Sequence, residues 1–232
     1  MINKSISIIV PVFNEKECIN NAISKINNFF FNEFKDYEIL IIESGSTDGT
    51  YEICDALAKQ YDKVSVFHED GCNGLGSALK IGFENATKNY VMRIVVDLPF
   101  SFDTILNAFS VIKTNDVIFS YRHNDERSIF RKFQSGVFNK IINFSLGLSV
   151  KHVNCIPKIY KREIIQSLNI KSNGWFVDAE IVYHIENKNI SFIEIPVELI
   201  DRIEGQSKVT ILTPFYMMKE LIAFKKSIRD EK

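Results

Sequence analysis

The chain is poor in residues that could tie it together covalently or through a metal. Its four cysteines, Cys18, Cys54, Cys72 and Cys155, form no CxxC pair and no regular spacing. That argues against a disulfide framework or a structural zinc site and points to free thiols in a reducing compartment. His68, His123 and His184 have no partners at metal-ligand spacing and read as structural or surface residues. Neither sign of charge is in excess. With 28 Lys and Arg against 29 Asp and Glu, the formal net charge is −1, so no general basic field exists to attract nucleic acid. Any anion must be held by locally placed Arg and Lys. No apolar stretch approaches the ~20 residues that span a bilayer. The opening MINKSISIIVPVFNE lacks a signal-peptide cleavage pattern and reads as a first strand. The expectation is a cytoplasmic protein, soluble or peripheral at the cytoplasmic membrane face. Phenylalanine is abundant, at 19 copies, but it is spread along the chain as core packing would spread it.

The first half alternates two hydrophobic periods. ISIIVPVF, YEILIIE, KVSVFHE, NYVMRIVV and DVIFSY read as strands. EKECINNAISKINNFF, STDGTYEICDALAKQY, GLGSALKIGFENAT and FDTILNAFSVIK between them read as helices. This rhythm predicts a mostly parallel sheet with helices on both faces. The second half is less regular. RSIFRKFQSGVFNKIINFSLG is a long amphipathic helix, and PKIYKREIIQSL, GWFVDAEIVYHIEN and ISFIEIPVELIDR give a short strand, a helix and a strand. No linker, low-complexity tract or repeat separates the halves, so 1–232 reads as a single α/β domain. In the final segment, 211–232, Ile211, Phe215, Met218 and Ile222 recur at helical spacing with Lys219, Lys225, Lys226 and Arg229 outside the stripe. It reads either as an amphipathic membrane-surface helix or as a last helix packed on the domain.

Ligands in such sheets bind beyond the carboxyl ends of the strands. Several unusual residues fall there: Asn14, Glu15, Glu43, Gly74 to Gly76, Asp97 and Arg122. VMRIVVDLPFS, residues 91–101, has one carboxylate, Asp97, at the end of an apolar run. Asp48 in GSTDGT reads as a helix-start acid. Glu15 and Glu43 end the first two strands, where carboxylates can accept from base N–H or ribose hydroxyls. Arg131 and Ser135 are four apart on a helix and share a face; with Arg122 they could grip a phosphate in fork-shaped contacts.

IIVPVFNEKECI, EILIIESGSTDGT, GLGSALKIGFENATKNY and a strand ending in an acid follow one another in an order that resembles the family 2 glycosyltransferases of GT-A fold. YRHNDERSIFRKFQSGVFNKIINFSLGLSVKH and IEIPVELIDRIEGQSK resemble the dolichyl-phosphate mannose synthases and their polyprenyl-phosphate relatives, and GWFVDAEIVY the glucosyltransferases among them. The resemblance implies an inverting transfer of a hexose from a nucleotide diphosphate sugar to a polyprenyl phosphate in the membrane, with a membrane-protein partner possible. It implies a nucleotide-sugar half at 1–122 and an acceptor half at 123–210. Donor residues would be Pro11, Asn14, Glu15, Glu43, Asp97, Arg202 and Lys208. Acceptor residues would be Arg122, Arg131, Ser135 and His152, and Asp97, Arg122 and Arg131 would carry the catalysis. Asp97 would hold Mg²⁺ or Mn²⁺.

The sequence departs from the family pattern at several of these places. Glu43 and Ser44 stand where Asp is usual. Val95 replaces the first acid of the Asp-x-Asp clamp, and Pro99 stands for a polar Gln. His152 replaces an Asp, and Ile156-Pro157 a Gly-Phe pair. Two alternatives therefore stay open: the same enzyme with a saccharide acceptor, or a nucleotide-sugar-binding relative that has lost turnover.

Overall fold

The computed structural model describes residues 1–112, 115–123, 129–199 and 213–230, with backbone alone at 129–135, 138, 213–215 and 230. A run of Ile and Val with no polar alternation marks a strand buried on both faces. In β1 (Ile2–Val12), Ile6, Ile8, Ile9, Val10 and Val12 are all buried. β1 sits near the middle of a seven-stranded sheet of order β3-β2-β1-β4-β6-β5-β7. Its partners are β2 (Phe34–Glu43), β3 (Val64–His68), β4 (Tyr90–Arg93), β5 (Val117–Arg122), β6 (Ile159–Lys161) and β7 (Phe192–Val197). β6 runs antiparallel to both of its neighbours, and the other pairings are parallel.

Helices cover both faces, as expected. On one face lie α1 (Ile19–Glu33), α2 (Thr50–Gln60) and α4 (Asp103–Val111). The buried residues of α1, namely Ile19, Ala22, Ile23, Ile26 and Phe30, follow the helical period that the sequence displays. On the other face lie α3 (Leu75–Asn85), α6 (Arg162–Gln166), α7 (Val177–Asn187) and α8 (Thr213–Asp230), with α5 (Ile129–Leu146) reaching that core through Ile142. All four cysteines are free thiols.

Two expectations need correction. The fourth strand stops at Arg93 instead of running to Val96. Ile94 still donates its N–H to the Ile9 carbonyl at 2.9 Å, but the next residues turn, with the Leu98 N–H on the Val95 carbonyl at 3.1 Å. Leu98 takes a positive φ of 42°, which bends the chain away from the ladder. Asp97 is therefore carried by a turn past the sheet. The second correction concerns α8. Its buried residues are Met217, Leu221 and Phe224, one position off the expected stripe, and Ile222 is 68% exposed. α8 is packed on the domain, where Glu220 also accepts the Phe176 N–H at 3.2 Å. Ile211 and the Phe215 side chain lie outside the described residues. Among the described residues no helix is long and apolar enough to cross a membrane.

Candidate functional site

Strand register places Val12, Glu43 and His68 side by side at the carboxyl ends of β1, β2 and β3. The loops beyond them are knitted together. Asn14, at φ 50°, donates its N–H to Ser46 Oγ at 2.9 Å and accepts the Thr47 N–H on Oδ1 at 2.8 Å. The Glu15 N–H reaches Thr50 Oγ1 at 2.9 Å. Asp48 accepts the Lys16 N–H at 3.2 Å, the Thr50 N–H at 3.0 Å and the Thr50 hydroxyl at 2.5 Å. Asp48 thus has the helix-start role expected of it, tying the β1 loop to α2. Gly45 sits at φ 68°, and a Cβ there would lie 2.7 Å from Gly71 Cα; only glycine fits that turn.

Glu43 is fully buried, and its carboxylate is engaged inside the protein. Oε1 accepts the Ser46 N–H at 2.6 Å, and Oε2 lies 3.0 Å from His68 Nδ1. The other ring nitrogen, His68 Nε2, lies 3.1 Å from Asp55 Oδ1. Tyr51 stacks on the ring, with centroids 3.8 Å apart and planes at 23°. Burial alone would raise the Glu43 carboxyl, but the Ser46 and His68 hydrogen bonds outweigh it and hold it below the usual range. Burial would likewise lower His68, but Glu43 and Asp55 outweigh it and raise the imidazole. Of the two places expected for it, structural or surface, His68 takes the structural one, tied to Glu43, Asp55 and Tyr51 at the strand ends. The signal lay in its place at the end of KVSVFHE, level with Glu43. Ser44, where the family has an acid, donates to Glu69 Oε2 at 2.5 Å, and Ser77 of α3 donates to Glu69 Oε1 at 2.6 Å. An acid at 44 would face Glu69.

On the other side of β1, Asp97 is half-buried in its turn. Among the described residues no group of three His, Cys, Asp or Glu could hold a metal by itself. The Arg122 N–H donates to His152 Nδ1 at 3.3 Å, so two of the candidate acceptor residues meet. Arg131 and Ser135 both lie on α5, with their side chains outside the described residues. Arg202 and Lys208 also lie outside them. Pro11 is the next-to-last residue of β1, opposite Ile42, and Glu15 is half-buried beyond it.

A second charged group was not foreseen. Arg93 Nη2 and Lys158 Nζ converge on Asp178 at 3.1 and 2.6 Å, all three side chains being buried. Lys158 also donates to the Val153 carbonyl at 2.6 Å. The signal was a lone Arg in the apolar run VMRIVV. The glycines of NGLGSA serve a neighbouring backbone segment. A Cβ on Gly74 would lie 2.5 Å from the Asn173 carbonyl oxygen, and one on Gly76 would strike the Ser172 carbonyl oxygen.

Solved structures share this architecture. Glucosyl-3-phosphoglycerate synthase from Mycobacterium tuberculosis, in complex with Mn²⁺, UDP and glucosyl-3-phosphoglycerate, matches with a TM-score of 0.70 at 15% identity, over 95% of this chain and 79% of its own. The same enzyme with Mg²⁺ and UDP gives 0.69 at 16% identity, over 95% and 79%. Mannosyl-3-phosphoglycerate synthase from Rubrobacter xylanophilus gives 0.71 at 14% identity, over 99% and 76%. At these identities the likeness speaks for the fold, which is the GT-A arrangement. Residues 7–168 match the family model described as Glycosyl transferase family 2, and the chain belongs to that family.

Proposed function

We propose that this glycosyltransferase moves a hexose from a nucleoside diphosphate sugar to a polyprenyl phosphate at the cytoplasmic membrane face. The observation that carries the lipid acceptor is the outer face of α5. Val137, Ile141 and Phe144 recur there at i, i+4 and i+7, all exposed, and Phe144 is 92% exposed. A large aromatic residue standing free beside an aliphatic stripe suits a lipid surface. The same helix carries Arg131 and Ser135, N-terminal of this stripe.

The chemistry asks for little besides placement. A phosphate monoester is largely dianionic near neutral pH, with a second pKa of about 6. Its oxygen attacks the anomeric carbon, the bond from that carbon to the diphosphate oxygen breaks, and the nucleoside diphosphate departs with the electron pair. Inversion follows from this single displacement, without a covalent enzyme intermediate. Asn14, Glu15 and the Glu43 cluster shape the nucleotide pocket, and Arg202 and Lys208 supply charge to the diphosphate. Arg122, Arg131, Ser135 and His152 hold the acceptor phosphate.

Asp97 fits a divalent cation only in company. It is one hard carboxylate in a turn, with no three-residue cluster among the described residues, so diphosphate oxygens and water must complete the shell of Mg²⁺ or Mn²⁺. When bound, the ion neutralises charge on the leaving diphosphate. The Mn²⁺ and Mg²⁺ complexes of the M. tuberculosis enzyme support this reading.

A second reading keeps the donor and replaces the lipid by a small phosphate-bearing acceptor. The phosphoglycerate enzymes among the structural neighbours favour it. A panel of UDP- and GDP-sugars with a short polyprenyl phosphate and with phosphoglycerate separates the two, together with flotation on liposomes of parent and Phe144→Glu protein. Transfer to the lipid, with flotation reduced in the variant, is expected. Transfer to phosphoglycerate alone overturns the lipid acceptor, and nucleotide binding without any transfer overturns catalysis.

A further inference from the structure

We infer that His68 is a positioning residue of the nucleotide site: as an imidazolium held between Glu43 and Asp55, it fixes Glu43 against the 44–47 loop, and nucleotide binding requires its proton. The inference rests on the reading of the strand ends as the donor site.

The geometry carries it. Both ring nitrogens face carboxylate oxygens, at 3.0 Å for Glu43 and 3.1 Å for Asp55. A neutral imidazole has one N–H and one lone pair. One carboxylate would then face a lone pair, so only the cation satisfies both. The ring cannot easily swing aside, since Tyr51 stacks on it. The groups facing it are Glu43 from β2 and Asp55 and Tyr51 from α2. The buried Cys54 thiol on α2 feels the same carboxylates and Asp48; burial first, then these charges, push it up to about 12, so it stays neutral.

The clamp leads directly to the loops. The other Glu43 oxygen holds the Ser46 N–H, and Ser46 Oγ accepts the Asn14 N–H. Asn14 in turn accepts the Thr47 N–H. The chain His68, Glu43, Ser46, Asn14 therefore links the ends of β3, β2 and β1 in one hydrogen-bonded relay. Removing the proton leaves a lone pair against one of the two carboxylates, either Glu43 at the root of that relay or Asp55, which positions the ring on Glu43. The raised pKa of the ring agrees with this direction.

The test measures affinity for UDP and GDP by calorimetry from about pH 6 to about pH 9, in parent and His68→Gln protein. Where only the protonated form binds, apparent affinity falls about tenfold per pH unit above the ring's pKa. The parent should show that fall, and the variant should bind weakly with a flatter profile. Linkage supplies a second readout in the parent alone: saturating nucleotide must raise the His68 pKa followed by NMR, with the variant assigning the signal among four histidines. Nucleotide binding with identical pH profiles in both proteins, or a His68 titration that nucleotide leaves unmoved, overturns the role of His68 alone. A parent that binds no nucleoside diphosphate at any pH overturns the donor-site reading, and this inference with it.

Discussion

Asp178→Asn isolates the energetics of the buried charge cluster with almost no change in shape. In the parent, one carboxylate serves two cations, Arg93 at 3.1 Å and Lys158 at 2.6 Å. Burial alone would raise the Asp178 carboxyl, but Arg93 and Lys158 outweigh it and hold it below the usual range. Removing the negative charge leaves two like charges buried together. Breaking a buried pair typically costs about 3–5 kcal/mol. Two features pull the value toward the low end. Asn keeps a carbonyl oxygen to accept one hydrogen bond, and Lys158 keeps the Val153 carbonyl. Burial already lowers the Lys158 pKa, so that side chain can shed its proton once its counter-charge is gone. A loss of about 3 kcal/mol, at roughly 2–4 °C per kcal/mol for a chain of this size, lowers Tm by about 6–12 °C.

The assay is thermal unfolding by circular dichroism across pH. The sign follows from the depressed folded pKa. The Asp178 contribution is complete above the unfolded value of about 3.9 and is lost as pH falls through the lower folded value. The gap between parent and variant should be widest near neutrality and close in strong acid. Lys158→Met in the Asp178→Asn background should recover part of the loss, because it removes one stranded cation. A Tm shift under about 2 °C near neutral pH, below what 1 kcal/mol would give, refutes the cluster as a structural element.

Other expectations can be checked alongside. Glu43→Gln should weaken nucleotide binding indirectly, by loosening the 44–47 loop that its fully buried carboxylate holds, and unchanged calorimetric affinity would remove Glu43 from the site. Mn²⁺ uptake should be weak in the apo protein, rise with the cognate nucleoside diphosphate, and vanish in Asp97→Asn; nucleotide-independent uptake would place the ion elsewhere. Gly76→Ala lies in a helix, where propensity alone would stabilise by about 1 kcal/mol. Its Cβ would instead meet Asn173 C at 2.9 Å, so a destabilisation of about 1–3 kcal/mol is expected from overpacking against backbone that cannot yield; a raised Tm would show that the 172–174 segment gives way.

Elements with a strong period were legible because one face or both faces of each are buried. The unbroken apolar run of β1 and the i, i+4, i+7 spacing in α1 each admit one burial pattern. α8 departs from the expected stripe for an equally physical reason. Met217 and Met218, and then Leu221 and Ile222, are adjacent apolar pairs, so two stripes compete: Met217 and Leu221 are buried, Met218 still packs against the core of that face, and Ile222 is exposed. The antiparallel β6 has three residues, too few to display a period. Arg93 and Asp178 lie 85 positions apart, and His68 lies 25 from Glu43 and 13 from Asp55; no local spacing announces such pairs. The same distances change how the departures from the family pattern should be weighed. Taken singly, Glu43 and Ser44 look like two lost aspartates. In the fold, the longer Glu43 side chain reaches His68 while still holding the Ser46 N–H, and the Ser44 hydroxyl serves Glu69, where a second acid would repel. Independent decay would leave such substitutions unpartnered. Here Glu43 and Ser44 each find partners, in two adjacent hydrogen-bonded groups, and that fit favours a nucleotide site that still works over one that has lapsed.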